Sequence, residues 1–205
     1  MEEHVGQLWD KLITSVSDRS YKHAMVTLSD ISKPLGIFFR ALGGDGGLRI
    51  VESTATQHYA KRNWKHRVAG TGKYVELSWQ DEETLHLPKQ ISVFPDPELN
   101  KDLYYWLAAI NAQCLENSSA RQRGLQGWFT YSQTLTQEVL QRFPGLQSRY
   151  ERLVSAYLPT RYIDEDFNEQ EQAQENSIAQ ALQKPGSIHQ LPTSQHAPKS
   201  VILWP

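Results

Sequence analysis

The sequence predicts an α+β fold: a mainly α-helical domain with a small three- to four-stranded sheet at about residues 48–94 and an extended C-terminal tail. Three observations carry that expectation. Apolar residues recur at helical spacing through most of the chain. Period-two alternation is confined to one stretch, where Val75, Leu77 and Trp79 interleave with Tyr74, Glu76 and Ser78. Beyond Gln183, Pro185, Pro192, Pro198 and Pro205 punctuate a Gln-, Ser- and His-rich run that reads as linker.

Taken in order, Val5, Leu8, Trp9, Leu12, Ile13 and Val16 share one helical face. A second helix is expected to start near Ser32 with Pro34 in its first turn. It presents Leu35, Phe38, Phe39 and Leu42 and stops at Gly43-Gly44. Leu48–Glu52 reads as a short strand, and residues 55–69 as a charged helix around Tyr59, Trp64 and Val68, ended by Gly70 and Gly72. After the alternating strand, Gln80–Glu83 turns the chain into Thr84–Leu87, and Ile91–Phe94 adds a further strand. Asp96-Pro97-Glu98 is a helix opening, with a carboxylate at the N-cap and proline at the first helical position. Leu99, Leu103, Trp106, Leu107, Ile110 and Cys114 follow on one face, which predicts a central core helix. Trp128, Tyr131, Leu135 and Val139 mark the next helix, broken at Pro144-Gly145. Leu146, Tyr150, Leu153, Val154, Tyr157 and Leu158 mark its antiparallel neighbour, stopped by Pro159. From Asp164 the chain turns acidic and Gln-rich, and one more surface helix is expected to about Gln183. Residues 1–183 are thus expected to form the domain and 184–205 a flexible linker. Removing 185–205 should then cost little stability, the apolar tip Val201–Trp204 being the exception that could pack back.

Composition narrows the function. Lysine and arginine number 21 against 23 aspartates and glutamates, a net charge of −2, so bulk charge does not make this a nucleic-acid binder. Cys114 is the single cysteine. An internal disulfide and a Cys-x-x-Cys zinc site are therefore excluded, and its place on an apolar helix face makes it a small hydrophobe rather than a nucleophile. The acidic Met-Glu-Glu-His start is the reverse of a signal peptide, and the longest apolar runs fall far short of the roughly 20 residues a bilayer requires. A reduced, cytoplasmic protein without membrane association is expected.

No catalytic, cofactor-binding or metal-ligating constellation emerges, and an enzyme is not expected. The seven histidines form no His-Glu-x-x-His and none sits beside a cysteine. No Gly-x-Ser-x-Gly elbow exists. The loop Gly43, Gly44, Asp45, Gly46, Gly47 is the most unusual local feature. Glycine-rich loops can aim N–H groups at phosphate, but this one runs helix to strand and lacks the following Lys-[Ser/Thr], so both nucleotide fingerprints fail. It reads as a tight structural connection needing positive φ. Between Glu52 and Glu76 lie Lys61, Arg62, Lys65, Arg67 and Lys73 with no acidic residue, and Trp64 is interleaved. Beside the reading as a solvated helix face stands a docking face for an acidic partner, on which charge reversal at Arg62 and Lys65 would act mainly through association rate. A nucleic-acid module using this basic 58–73 helix, with Trp64 stacking on a base, is the alternative from another class. The acidic overall charge speaks against it, and nucleic acid is not an expected partner.

The string Phe38-Phe-Arg-Ala-Leu-Gly-Gly-Asp-Gly-Gly-Leu-Arg49 resembles the N-terminal region of the CbbO/NorD family. So do Glu3–Trp9, Ala69–Trp79, Leu99–Ala109, Phe143–Leu146, Pro185–Ser187 and Leu203-Trp204, so that the resemblance extends from one end of the chain to the other. The resemblance implies an adaptor for a hexameric MoxR-type AAA+ ATPase. CbbO works with the ATPase CbbQ to reactivate inhibited Rubisco, and NorD is named for nitric oxide reductase activation. The family's C-terminal part is a von Willebrand factor A domain with a metal-ion-dependent adhesion site. The Asp-x-Ser-x-Ser signature of that site is missing from these residues, so no metal ligand carries over. By resemblance, 184–205 would lead towards that domain, the divalent metal would belong to it, and ATP would bind the partner ATPase. This chain would hold no cofactor. The main expectation is a CbbQ-like ATPase adaptor with Rubisco as remodelling target; nitric oxide reductase maturation is the alternative.

Overall fold

The computed structural model describes residues 21–53, 79–80, 84–114, 124–161, 167–196 and 198–205. Within them three α-helices pack against a central fourth, a fifth packs on one of these, and two small sheets complete the fold.

Helix α1 (Leu28–Ala41) follows a short strand β1 (Val26–Thr27). It starts four residues earlier than the sequence suggests. Thr27 and Asp30 form a capping box, and the Thr27 N–H and hydroxyl both donate to the Asp30 carboxylate at 3.4 and 2.6 Å. Pro34 therefore sits inside the helix rather than in its first turn and withholds one N–H from the ladder. Leu28, Ile31, Leu35 and Phe39 form the buried stripe.

The expected sheet exists, in two pieces. Strands β2 (Arg49–Ser53), β3 (Trp79–Gln80) and β4 (Thr84–Pro88) have the order β2-β4-β3, β2 parallel and β3 antiparallel to β4. Strand β5 (Gln90–Ile91) leaves this sheet and pairs antiparallel with β1, in the register Val26↔Ile91 and Thr27↔Gln90. Central β4 buries Leu85, His86 and Leu87 in succession, as a strand covered on both faces does.

Helix α2 (Pro97–Gln113) opens as expected, the Asp96 carboxylate accepting from the Glu98 N–H at 2.9 Å. It is the central core helix and is buried almost all round: Leu103, Tyr104, Trp106, Leu107, Ala108, Ala109 and Ile110 are each at most 1% exposed. Asn100, fully buried, ties the base of the fold together. Its amide donates to the carbonyls of Ala24 and Phe94, both at 2.8 Å, and its oxygen accepts from the Phe94 N–H. Helices α3 (Gly124–Arg142), α4 (Gln147–Tyr157) and α5 (Glu169–Gln183) complete the bundle. The cap of α5 is again reciprocal, between Asn168 and Glu171.

The tail departs from the linker expectation. Residues 184–196 and 198–205 lie across the helices as a strap, and Leu191, Val201, Ile202, Leu203 and Trp204 join the core at 5% exposure or less. Helix side chains hold the strap by its backbone. On α3, Gln126 donates to the His189 carbonyl and accepts from the Leu191 N–H, both at 2.9 Å. Two turns farther along the same face, Gln133 holds the Ile188 carbonyl and the Gly186 N–H in the same way. The indole N–H groups of Trp106 and Trp128 donate to the carbonyls of Leu203 and Pro205 at 2.9 and 3.0 Å. Arg161, 4% exposed at its side chain, pairs with buried Glu175 and also donates to the Lys199 and Ser200 carbonyls. Burial by itself pulls the Arg161 pKa down, but Tyr157 and Glu175 outweigh it and raise it. Prolines do not prevent this packing, because the segment forms no ladder: it turns at residues 185–186 and 202–203, and helix side chains satisfy much of the rest of its backbone.

Candidate functional site

Among the described residues the feature best suited to recognition is built on α2 and α4. Asp102 projects from α2 at 7% side-chain exposure. Arg149 and Arg152, three residues apart on α4, both reach it: Arg149 Nε donates to Oδ1 at 2.7 Å and Arg152 Nη2 donates to Oδ2. One turn beyond Asp102, Tyr105 meets Phe38 of α1 edge to face, with ring centres 5.0 Å apart. The Arg149 guanidinium lies 4.9 Å from the Tyr105 ring centre and 5.9 Å from that of Phe38, within range of a cation–π attraction to each. Arg149 is thus fixed by an ion pair on one side and two rings on the other. Arg152 is 62% exposed at its side chain. Two cations share one buried carboxylate, and a guanidinium offers a planar fork of donors rather than a transferable proton. The arrangement suits binding.

The sequence-predicted candidates fall elsewhere. Lys61, Arg62, Trp64, Lys65, Arg67 and Lys73 lie outside the described residues, as do residues 5–16, where a helix is expected, and 74–78, where a strand is expected. The loop of Gly43, Gly44, Asp45, Gly46 and Gly47 joins α1 to β2. Gly43 has φ of 92°, and a side chain at Gly44 would overlap the Phe39 ring. Asp45 closes the turn by accepting from the Gly47 N–H at 2.8 Å. Cys114 caps α2 instead of lying within it, half-buried and 3.1 Å from the Tyr131 hydroxyl. Of the histidines described, His86 is buried beside Thr84, while His196 is exposed and pairs with Glu171. That contact and the Asn168 backbone hold the Glu171 carboxyl below its ordinary pKa. Among the described residues no group of three or more His, Cys, Asp or Glu could hold a metal, and no helix is long and apolar enough to cross a membrane.

Sequence reasoning missed Asp102, Arg149 and Arg152. The i,i+3 spacing of the two arginines was visible, but 47 residues separate Asp102 from Arg149, and no local pattern announces such a pair.

Three relatives are informative. The protein NorD of Stutzerimonas stutzeri is 35% identical over 204 residues, covering 100% of this chain and 32% of the relative. An uncharacterised protein of Pseudomonas aeruginosa is 35% identical over the same share of each chain. The protein NorD of Brucella abortus is 34% identical over 168 residues, 78% of this chain and 26% of the relative. The chain spans about a third of the length of the curated relatives it matches most fully. No family profile matches it, and no solved structure does.

Proposed function

From its relationship to proteins named NorD, we propose that this chain is one domain of a NorD-type accessory factor for nitric oxide reductase activation or maturation. It acts by binding rather than catalysis, and a hexameric MoxR-type AAA+ ATPase is its partner. The observation that carries the reading is similarity along the full length of the chain, at 35% identity, to a protein of that name. The sequence by itself leads first to the Rubisco branch of the same resemblance; the relatives carry the NorD name, and this moves the reading to the nitric oxide reductase branch. A helical domain whose most developed polar surface is an arginine–aromatic face fits a module that holds another protein.

The reading is tested by exchange. In a Stutzerimonas stutzeri strain lacking NorD, a NorD in which this chain replaces the matching region should restore nitric oxide consumption. Pull-down with the cognate ATPase, with and without ATP, should recover the complex. Failure of both would remove the proposal. ATP-dependent reactivation of inhibited Rubisco by the full-length protein and its ATPase would return the assignment to the Rubisco branch.

A further inference from the structure

We propose that the face formed by α1, α2 and α4 around Phe38, Tyr105 and Arg149 is a docking site for an acidic, apolar segment of a protein partner. It deepens the binding role proposed above and, where the partner is the ATPase, rests on that reading.

Helix α1 carries two apolar stripes. Leu28, Ile31, Leu35 and Phe39 face the core. Pro34, Ile37, Phe38 and Ala41, at i, i+3, i+4 and i+7, form a second stripe on another side. Pro34 and Ala41 are exposed and Phe38 is half-buried. Ile37 is 65% exposed, whereas Met25, the other exposed large apolar side chain among the described residues, is 42% exposed. A single exposed isoleucine is ordinary, but a stripe at helical spacing that ends on an aromatic pair and a clamped arginine is the composition of an interface centre.

Charge selects the occupant. Arg149 stands 5.9 Å from the Phe38 ring at the end of this stripe, and Arg152, on the same side of α4, shares with it the one Asp102 carboxylate. Glu151 falls on the opposite edge of α4, within hydrogen-bond reach of Gln147, and Glu98, one turn before Asp102 on α2, pairs with Lys101. The rim beside the stripe is therefore cationic, and carboxylates on a partner helix would meet it while apolar residues cover Ile37 and Phe38. A second copy of this chain is disfavoured, because a two-fold contact through this face would set arginine against arginine. A bilayer is disfavoured by the short stripe and by the fixed position of Arg149.

The test uses the full chain, its Ile37→Ser and Arg152→Glu variants, and a control substitution at exposed Gln190 (Gln190→Glu). Two probes are used: the cognate hexameric ATPase, and a synthetic amphipathic helix of leucine and glutamate with a leucine–lysine counterpart. Both face variants should weaken binding of the ATPase and of the acidic peptide about ten-fold, with the control unchanged, the thermal midpoint of Ile37→Ser unchanged and the lysine peptide unbound. Arg152→Glu also breaks the pair with Asp102, so its binding is compared at a temperature where it is folded. If the ATPase binds all variants equally, the docking face is wrong and the adaptor reading survives. If the ATPase does not bind wild type but the acidic peptide binds with the expected losses, the adaptor reading falls and the face stands. The inference is overturned by a lowered midpoint in Ile37→Ser, which would mean that the chain's own residues cover the face. It is overturned equally if the acidic peptide fails to bind, or if the lysine peptide, an oligonucleotide or phosphatidylglycerol vesicles bind as well.

Discussion

Asp102 and Glu175 are both buried carboxylates paired with arginine, and their surroundings make their replacements unequal. Asp102 faces Arg149 and Arg152, whose side chains are 27% and 62% exposed. Once it is neutralised, water can reach both cations, so Asp102→Asn should destabilise the fold by only about 1–2 kcal/mol. Glu175 faces Arg161, 4% exposed, and Glu175→Gln strands a buried charge at a cost of about 3–5 kcal/mol. Urea unfolding of the two variants checks the order, and equal losses would contradict it. Two tyrosines supply a pH prediction. Burial raises the Tyr104 hydroxyl above its ordinary pKa, with Glu52 and Asp30 adding to the effect, and burial alone does so for Tyr150. Both donate to backbone carbonyls, of Pro88 and Leu182. A raised acid favours the folded state fully below the unfolded phenol value of about 10 and loses that contribution as pH climbs above it. Phenolate absorbance should therefore show two tyrosines that ionise only with alkaline unfolding, and Tyr104→Phe should shift that unfolding to higher pH.

At the scale of elements the strap reverses the simplest reading of the C-terminal segment. An isolated extended peptide is poorly ordered, but this one inserts Leu203 and Trp204 into the bundle, and Trp204 meets Trp128 and Phe129 edge to face at 5.4 and 5.8 Å. Trp204→Ala should cost about 3–5 kcal/mol. Ending the chain after Lys184 removes that packing and also leaves Gln126, Gln133, Trp106 and Arg161 without the backbone groups they hold. Circular dichroism of the shortened chain should show helix without a cooperative thermal transition, and a normal transition would mean the strap is dispensable. The helix stops follow a simpler logic. Gly44→Ala places a methyl group on the Phe39 ring, and a loss of about 1–3 kcal/mol is expected from overpacking.

For the whole molecule, the central position of α2 joins the described residues into a single cooperative unit. It contacts α1, α3, α4, β1, β4 and β5, and through the Trp106 indole it also holds the strap. Hydrogen exchange should therefore protect the amides of residues 201–204 on the same timescale as those at the middle of α2. Fast exchange confined to the strap would separate it from the core. A domain locked in this way presents its surfaces rigidly, as the proposed binding role requires.

Among the described residues the sequence by itself determined the helices, because apolar spacing and caps are local: Asp96-Pro97 opens α2 and Gly43-Gly44 ends α1 whatever packs against them. It also determined the α+β class and pointed to a CbbO/NorD resemblance, and relatives named NorD are 34–35% identical to the chain. Only the tertiary structure decided the sheet order, since β5 pairs with a two-residue strand 64 positions earlier that has no pattern of its own. The same holds for the strap, whose affinity for the bundle resides in glutamines, tryptophans and an arginine far away in sequence. It holds too for the arginine–aromatic face, where Phe38, Tyr105 and Arg149 come from three helices. Backbone hydrogen bonds within a turn are written in neighbouring residues; contacts between elements are written in no single stretch and exist only once the core has closed.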